Sequence, residues 1–95
     1  MYLNYEQVAA TAAVQTAAAL TVPGNATHAE IQACTNDVRY TMDNATDPTQ
    51  TLGMVLLTGW HPKLFLIEDL LRIRFTRGAA ADGNLNVHYV AGRDV

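Results

Sequence analysis

From His28 onward, apolar and polar side chains alternate with a period of two. Ala29, Ile31 and Ala33 point one way, and His28, Glu30 and Gln32 the other. Val38, Tyr40 and Met42 then oppose Arg39, Thr41 and Asp43. Strict alternation predicts half-buried strands, and Thr35-Asn36 between the two runs predicts a tight turn or bulge. Residues 54–57 are apolar on both faces, which predicts a strand covered on both sides. A short strand follows over residues 64–67, with Glu68-Asp69 as a break. Near the end, Leu71, Ile73 and Phe75 alternate with Arg72, Arg74 and Thr76, and Leu85, Val87 and Tyr89 with Asn86, His88 and Val90. With both apolar sets on one core, residues 71–76 and 85–90 predict a hairpin pairing Ile73 with Val87, Arg72 with His88 and Arg74 with Asn86.

The first 22 residues carry two conflicting signals. Their alanines favour helix. Yet Val8, Ala10, Ala12, Val14, Thr16, Ala18, Leu20 and Val22 all fall on even positions, which is a strand period. The predicted arrangement is an extended N-terminal arm, residues 1–16, then a strand over residues 17–22 ended by Pro23-Gly24. An Ala/Thr arm has little core of its own, and a neighbouring subunit is one way to tie it down. Residues 17–95 form a single domain. Many short strands with frequent turn signals predict an all-β, antiparallel β-sandwich of jelly-roll-like type.

The best-specified turn lies between the strands at residues 38–42 and 54–57. Asp43 and Asn44 can bond their own backbone two residues on, Asp47-Pro48 presets a turn, and Gly53 releases the chain. These four, Asp43, Asn44, Asp47 and Pro48, are read as turn-structural.

Composition narrows the function. A net charge of −3 disfavours a protein built on phosphate contacts, so no nucleic-acid partner is expected. The single cysteine, Cys34, cannot form a disulfide within the chain and reads as a small core residue. No signal peptide is read at the N-terminus, and no run approaches the roughly 20 apolar residues of a membrane span. Asn25-Ala26-Thr27 and Asn44-Ala45-Thr46 match the glycosylation tripeptide and read as chance.

Candidate chemistry is sparse. His28, His61 and His88 are isolated from one another, unlike the paired ligands of zinc sites, so no metal and no cofactor are expected. Asp43 and Asp47 share one turn rather than flanking a cleft, which argues against paired-carboxylate catalysis. Calcium on Asp43, Asn44 and Asp47 has the right oxygen chemistry but too few ligands. No catalytic residues are assigned. The remaining candidates are contact residues. Trp60, beside His61 and Pro62, is either an exposed contact that could stack on a sugar ring or anchor a protein interface, or a cap on one open end of the sandwich. Arg39, Arg72, Arg74 and Arg77 form an outward basic stripe, suited to an interface or to a solvated sheet face. Tyr2, Leu3 and Tyr5 are the arm's large side chains.

The segments T-V-P-G-N-A-T-H-A-E-I-Q-A, D-V-R-Y-T-M-D-N-A-T-D-P-T-Q-T-L-G-M-V-L, L-L-R-I-R-F-T-R and N-L-N-V-H-Y resemble a family of small β-sandwich virion proteins of tailed bacteriophages, over most of the chain from about Ala19 to Tyr89. A similar Y-T-x-D-G-x-x-P-T turn occurs in sandwich modules attached to carbohydrate-active enzymes, with Gly where this chain has Asn44. The resemblance implies a non-enzymatic structural protein that decorates or cements the capsid exterior, made in the host cytoplasm and located on the virion. Its implied partners are the major capsid protein and copies of itself, commonly as a trimer. The alternative it implies is a tail- or fibre-associated module that binds carbohydrate or a receptor.

Overall fold

A computed structural model describes residues 1–92; residues 93–95, in a closing segment whose sequence predicts a polar surface tail, lie outside the described residues. Eight strands form two four-stranded antiparallel sheets. In chain order they are β1 (Tyr2–Ala10), β2 (Gln15–Thr16), β3 (His28–Cys34), β4 (Val38–Thr41), β5 (Met54–Leu56), β6 (Lys63–Leu66), β7 (Arg74–Arg77) and β8 (Gly83–Val90). One helical turn, α1 (Ile67–Leu70), precedes β7.

The first sheet has the order β1-β8-β3-β6 and the second β2-β7-β4-β5. The pairings are nested: β1 with β8, β2 with β7, β3 with β6, β4 with β5. Two further ladders, β3 with β8 and β4 with β7, join the halves of each sheet. A folded antiparallel ribbon of this kind is the double-sheet jelly roll.

The inward faces carry the alternating apolar sets. Ala29, Ile31, Ala33, Leu85, Val87 and Tyr89 from the first sheet meet Val38, Tyr40, Leu56 and Phe75 from the second, with Ile73 just before β7. Each large side chain taken fully out of water contributes about 1.5–3 kcal/mol. The Tyr40 ring meets Phe65 of β6 edge-on, centroids 5.7 Å apart, which bridges the two layers.

The N-terminal segment is extended, as its even-position pattern predicts, but it is tied down within its own chain. From Tyr5 to Ala10 it pairs with β8, and an irregularity between Tyr2 and Tyr5 shifts the register. Val8 packs against the core and Ala10 is fully buried, while Leu3, beyond the irregularity, also packs inward. The expected strand over residues 17–22 is absent. Residues 17–19 form a 3₁₀ turn, capped by the Thr16 hydroxyl accepting from the Ala18 amide. The short strand lies just before it, where Gln15 and Thr16 pair with Phe75 and Arg74.

Residues 71–76 and 85–90 do not form a hairpin. β7 lies in the second sheet and β8 in the first, so the predicted Ile73–Val87, Arg72–His88 and Arg74–Asn86 pairs do not exist. Ile73 and Phe75 face the same core as Leu85, Val87 and Tyr89, but from the opposite layer. The connecting loop, residues 77–83, is anchored on the turn between β3 and β4. The Gly78 amide donates to Asp37 O, and the Asn36 side-chain amide to Asp82 O. Close packing demands glycine there: a Cβ on Gly83 would sit 2.6 Å from the Asn36 carbonyl oxygen.

Two further expectations change. Leu71 is exposed rather than inward, because α1 inserts a helical turn and resets the phase before Ile73 enters the core. β5 is an edge strand, not a strand covered on both faces, and Met54 and Leu57 are exposed.

Candidate functional site

The turn between β4 and β5 is built as its sequence predicts. These two strands form a true hairpin, with Val38 opposite Leu56 and Tyr40 opposite Met54. One Asp43 oxygen, Oδ1, accepts from the Ala45 and Thr46 amides, and Oδ2 accepts from the Thr46 hydroxyl. These bonds, led by that of the Thr46 hydroxyl, hold the Asp43 carboxyl down at about 2. Asn44 takes a left-handed φ of 56° and Gly53 a φ of 119°. Pro48 is fully buried under the turn, and a Cβ on Gly53 would meet Pro48 Cβ and the Tyr40 carbonyl oxygen, both at 3.1 Å.

Arg74 fills the centre of this turn. Its guanidinium donates to Asp47 at 2.7 Å and to the carbonyls of Ala45 and Asn44 at 3.3 and 3.1 Å. Of the oxygens considered for calcium, those of Asp47 and the Asn44 carbonyl face this cation, and those of Asp43 accept from the turn. Among the described residues, no three or more His, Cys, Asp or Glu side chains come together as a metal-binding group.

Two other arginines of the predicted stripe are similarly engaged. Arg39 donates to Gly53 O, and Arg77 pairs with Asp82 at 3.0 Å. Arg39 and Arg74 lie on the outer face of β4 and β7, opposite Thr76 and Thr41. Arg77 lies opposite the buried Val38, at the inward parity, and Arg72 is exposed in the turn after α1. Instead of one continuous stripe, three of the four arginines brace loops. His28, read as an exposed strand polar, is buried beside Thr27, whose hydroxyl is 2.9 Å from Nδ1.

Trp60 is exposed, at 64%, and does not cap the sandwich. Its turn is fixed. The Trp60 amide reaches Leu57 O, Gly59 supplies a φ of 80°, and Asp37 Oδ1 accepts from the Thr58 amide and hydroxyl. Glycine at the third position suits a type II turn. Trp60, His61 and Lys63, with Leu57, Val55, Leu56, Ala33 and Gln32, line a cleft of about 180 Å³ between the free edges of the two sheets. The β3–β6 ladder stops at Ile31–Lys63, so β3 beyond it lies open towards this cleft.

No family model matches the chain, and no curated protein or solved structure matches it significantly.

Sequence reasoning missed two side-chain networks because both need β1 beside β8. In the first, Glu6 on β1 accepts from the fully buried Tyr89 hydroxyl and from the Thr21 amide at 2.7 Å. Burial, with the Glu6 carboxylate next, pushes the Tyr89 phenol far above its usual range. In the second, on the outer face, the Tyr2 ring stacks on His88 with centroids 4.4 Å apart, and Tyr5 meets His88 edge-on at 6.0 Å. Outward parity on β3 and β8 identified Glu30, Gln32, Asn86 and His88 as surface polars, but nothing local placed Tyr2 and Tyr5 beside them.

No helix among the described residues is long and apolar enough to cross a membrane.

Proposed function

We propose that this chain is a non-enzymatic structural protein of a tailed-phage virion that assembles with copies of itself through the Trp60 edge and attaches to the capsid exterior. The observation that carries this reading is the exposure of large apolar side chains along one edge. Trp60 at 64% and Leu57 at 40% line the cleft between the sheets, and Met54 of edge strand β5 stands at 60%. Exposed apolar clusters mark interaction surfaces, and tryptophan is among the residues that dominate interface energies. Short edge strands beside the cluster add unpaired backbone groups that a second chain can engage. The capsid and the virion enter through the sequence resemblance alone, since a jelly roll serves many roles.

The N-terminal segment pairs with β8 and β7 of its own chain. Deleting residues 1–16 removes β1 from the first sheet and β2 from the second, so that deletion tests folding rather than assembly. The informative variant is Trp60→Ala, which alters an exposed side chain. Labelled wild-type protein is expected to decorate virions of the phage that encodes it, seen by electron microscopy, and the folded Trp60→Ala variant to fail. Equal decoration by both would reject the Trp60 edge. Absence of wild-type protein from virions would reject the capsid reading.

A further inference from the structure

The outer face of the first sheet carries a groove of about 190 Å³ lined by Tyr5, Glu30, Gln32, Pro62, Asn86 and His88. We propose that this groove binds a single ring of a neutral sugar, a function separate from docking through Trp60.

The floor comes from β8 and β3, where His88 lies opposite Glu30 and Asn86 opposite Gln32. Tyr5 on β1 and Pro62, just before β6, stand on opposite sides, because β8 and β3 lie between those strands. Planar amide, carboxylate and imidazole groups beside a tyrosine ring match the two needs of a pyranose. Its hydroxyls take directed hydrogen bonds, and its C–H face packs on an aromatic ring. The volume falls below the roughly 300–1,000 Å³ of drug-sized sites, which suits one ring. One carboxylate and no Lys or Arg line the groove, which disfavours an anionic ligand.

The face is also more ordered than a solvated surface requires. Tyr5 and Gln7 both donate to Asn86 Oδ1, at 2.9 and 2.8 Å. Asn86 Nδ2 reaches Gln32 Oε1 at 3.4 Å, and the Tyr2 hydroxyl donates to Glu30 at 2.9 Å. Side chain–side chain bonds are normally a small minority of a protein's hydrogen bonds. Here four of them and the Tyr2–His88 stack link neighbouring side chains across three strands. Such a lattice fixes rotamers in advance, so little ordering cost remains on binding.

The test is a two-dimensional NMR titration of the full chain with a panel of neutral oligosaccharides: maltohexaose, cellohexaose and chitotetraose. At least one is expected to shift the resonances of Tyr5, Glu30, Gln32, Asn86 and His88 together. Tyr5→Ala is expected to weaken that binding about tenfold, in line with loss of one ring-stacking contact. Gln32→Ala, which keeps the ring, serves as the second variant if Tyr5→Ala does not fold. Trp60→Ala is expected to bind as the wild type does, which separates this groove from the adjoining cleft that shares Gln32. No shift with any panel member, shifts centred on Trp60 and His61, or unchanged affinity in folded Tyr5→Ala or Gln32→Ala would each overturn the proposal.

Discussion

Glu6 and Tyr89 give the sharpest energetic test of the fold, because they bind the N-terminal strand to the core. Tyr89 is fully buried, and its hydroxyl has the Glu6 carboxylate as partner; the same Glu6 oxygen holds the Thr21 amide. Tyr89→Phe removes one hydrogen bond to a charged group and leaves the ring packed. The expected loss is about 1.5 kcal/mol, the lower end of the range for such bonds. In a domain of this size, that lowers Tm by roughly 6–12 °C. Glu6→Ala should cost more, about 2–4 kcal/mol, because it strands a buried hydroxyl and frees a backbone amide. In the double variant the stranded hydroxyl is gone, so the losses should fall short of additive by at least about 1 kcal/mol. The pH profile adds an independent sign. The folded phenol is held neutral well above the pH near 10 where the unfolded phenol ionises. Its stabilisation is therefore complete below pH 10 and declines as pH rises above it. Tyr40, also raised by burial, contributes in the same direction. Urea unfolding of the wild type, both single variants and the double variant, each at neutral and alkaline pH, reads all of these. Additive losses, or an alkaline decline in Tyr89→Phe as steep as in the wild type, would refute the reasoning.

Other consequences follow from single contacts. Gly83→Ala should destabilise by about 1–3 kcal/mol in thermal or urea unfolding, because its Cβ would press on the Asn36 carbonyl. Gly24→Ala, with open space around it, is the matched control. Arg74→Ala should cost only about 1 kcal/mol globally, since the Arg74–Asp47 pair is partly exposed. It should nevertheless speed amide exchange in residues 43–48 several-fold, because the turn loses its central donor. Asp43 contributes stability above its ordinary value of 3.8 that fades as pH falls through about 2. Carboxyl NMR should find Asp43 titrating near 2, and Asp43→Ala should flatten the acid side of the stability curve.

What the sequence made legible was whatever depends on neighbours along the chain. Alternation marked the inward residues of β3, β4 and β8, and Asp43, Asn44 and Gly53 specified a turn that the hairpin of β4 and β5 reproduces. What it hid depends on which sheet a strand joins. Ile73 and Val87 both face inward whether β7 and β8 are adjacent or lie in opposite layers, so alternation cannot choose between the two. Tight packing of Gly78 and Gly83 on residues 36 and 37 sends the chain across the sandwich. Leu71 shows a second limit, since the single turn of α1 changes the phase within one apolar run. The candidate surfaces divide in the same way. Trp60 stood out as a lone tryptophan on a turn, whereas the face of Tyr2, Tyr5 and His88 required the β1–β8 ladder.

The central claim, that copies of this chain meet through the Trp60 edge, is tested most directly by acrylamide quenching of tryptophan fluorescence, followed alongside sedimentation from dilute to concentrated protein. Trp60 is the sole tryptophan, so the signal has one source. The account predicts efficient quenching in dilute solution and progressive protection as the sedimenting species grows. Assembly that leaves Trp60 fully quenchable, or a protein that stays monomeric at every concentration, would contradict it.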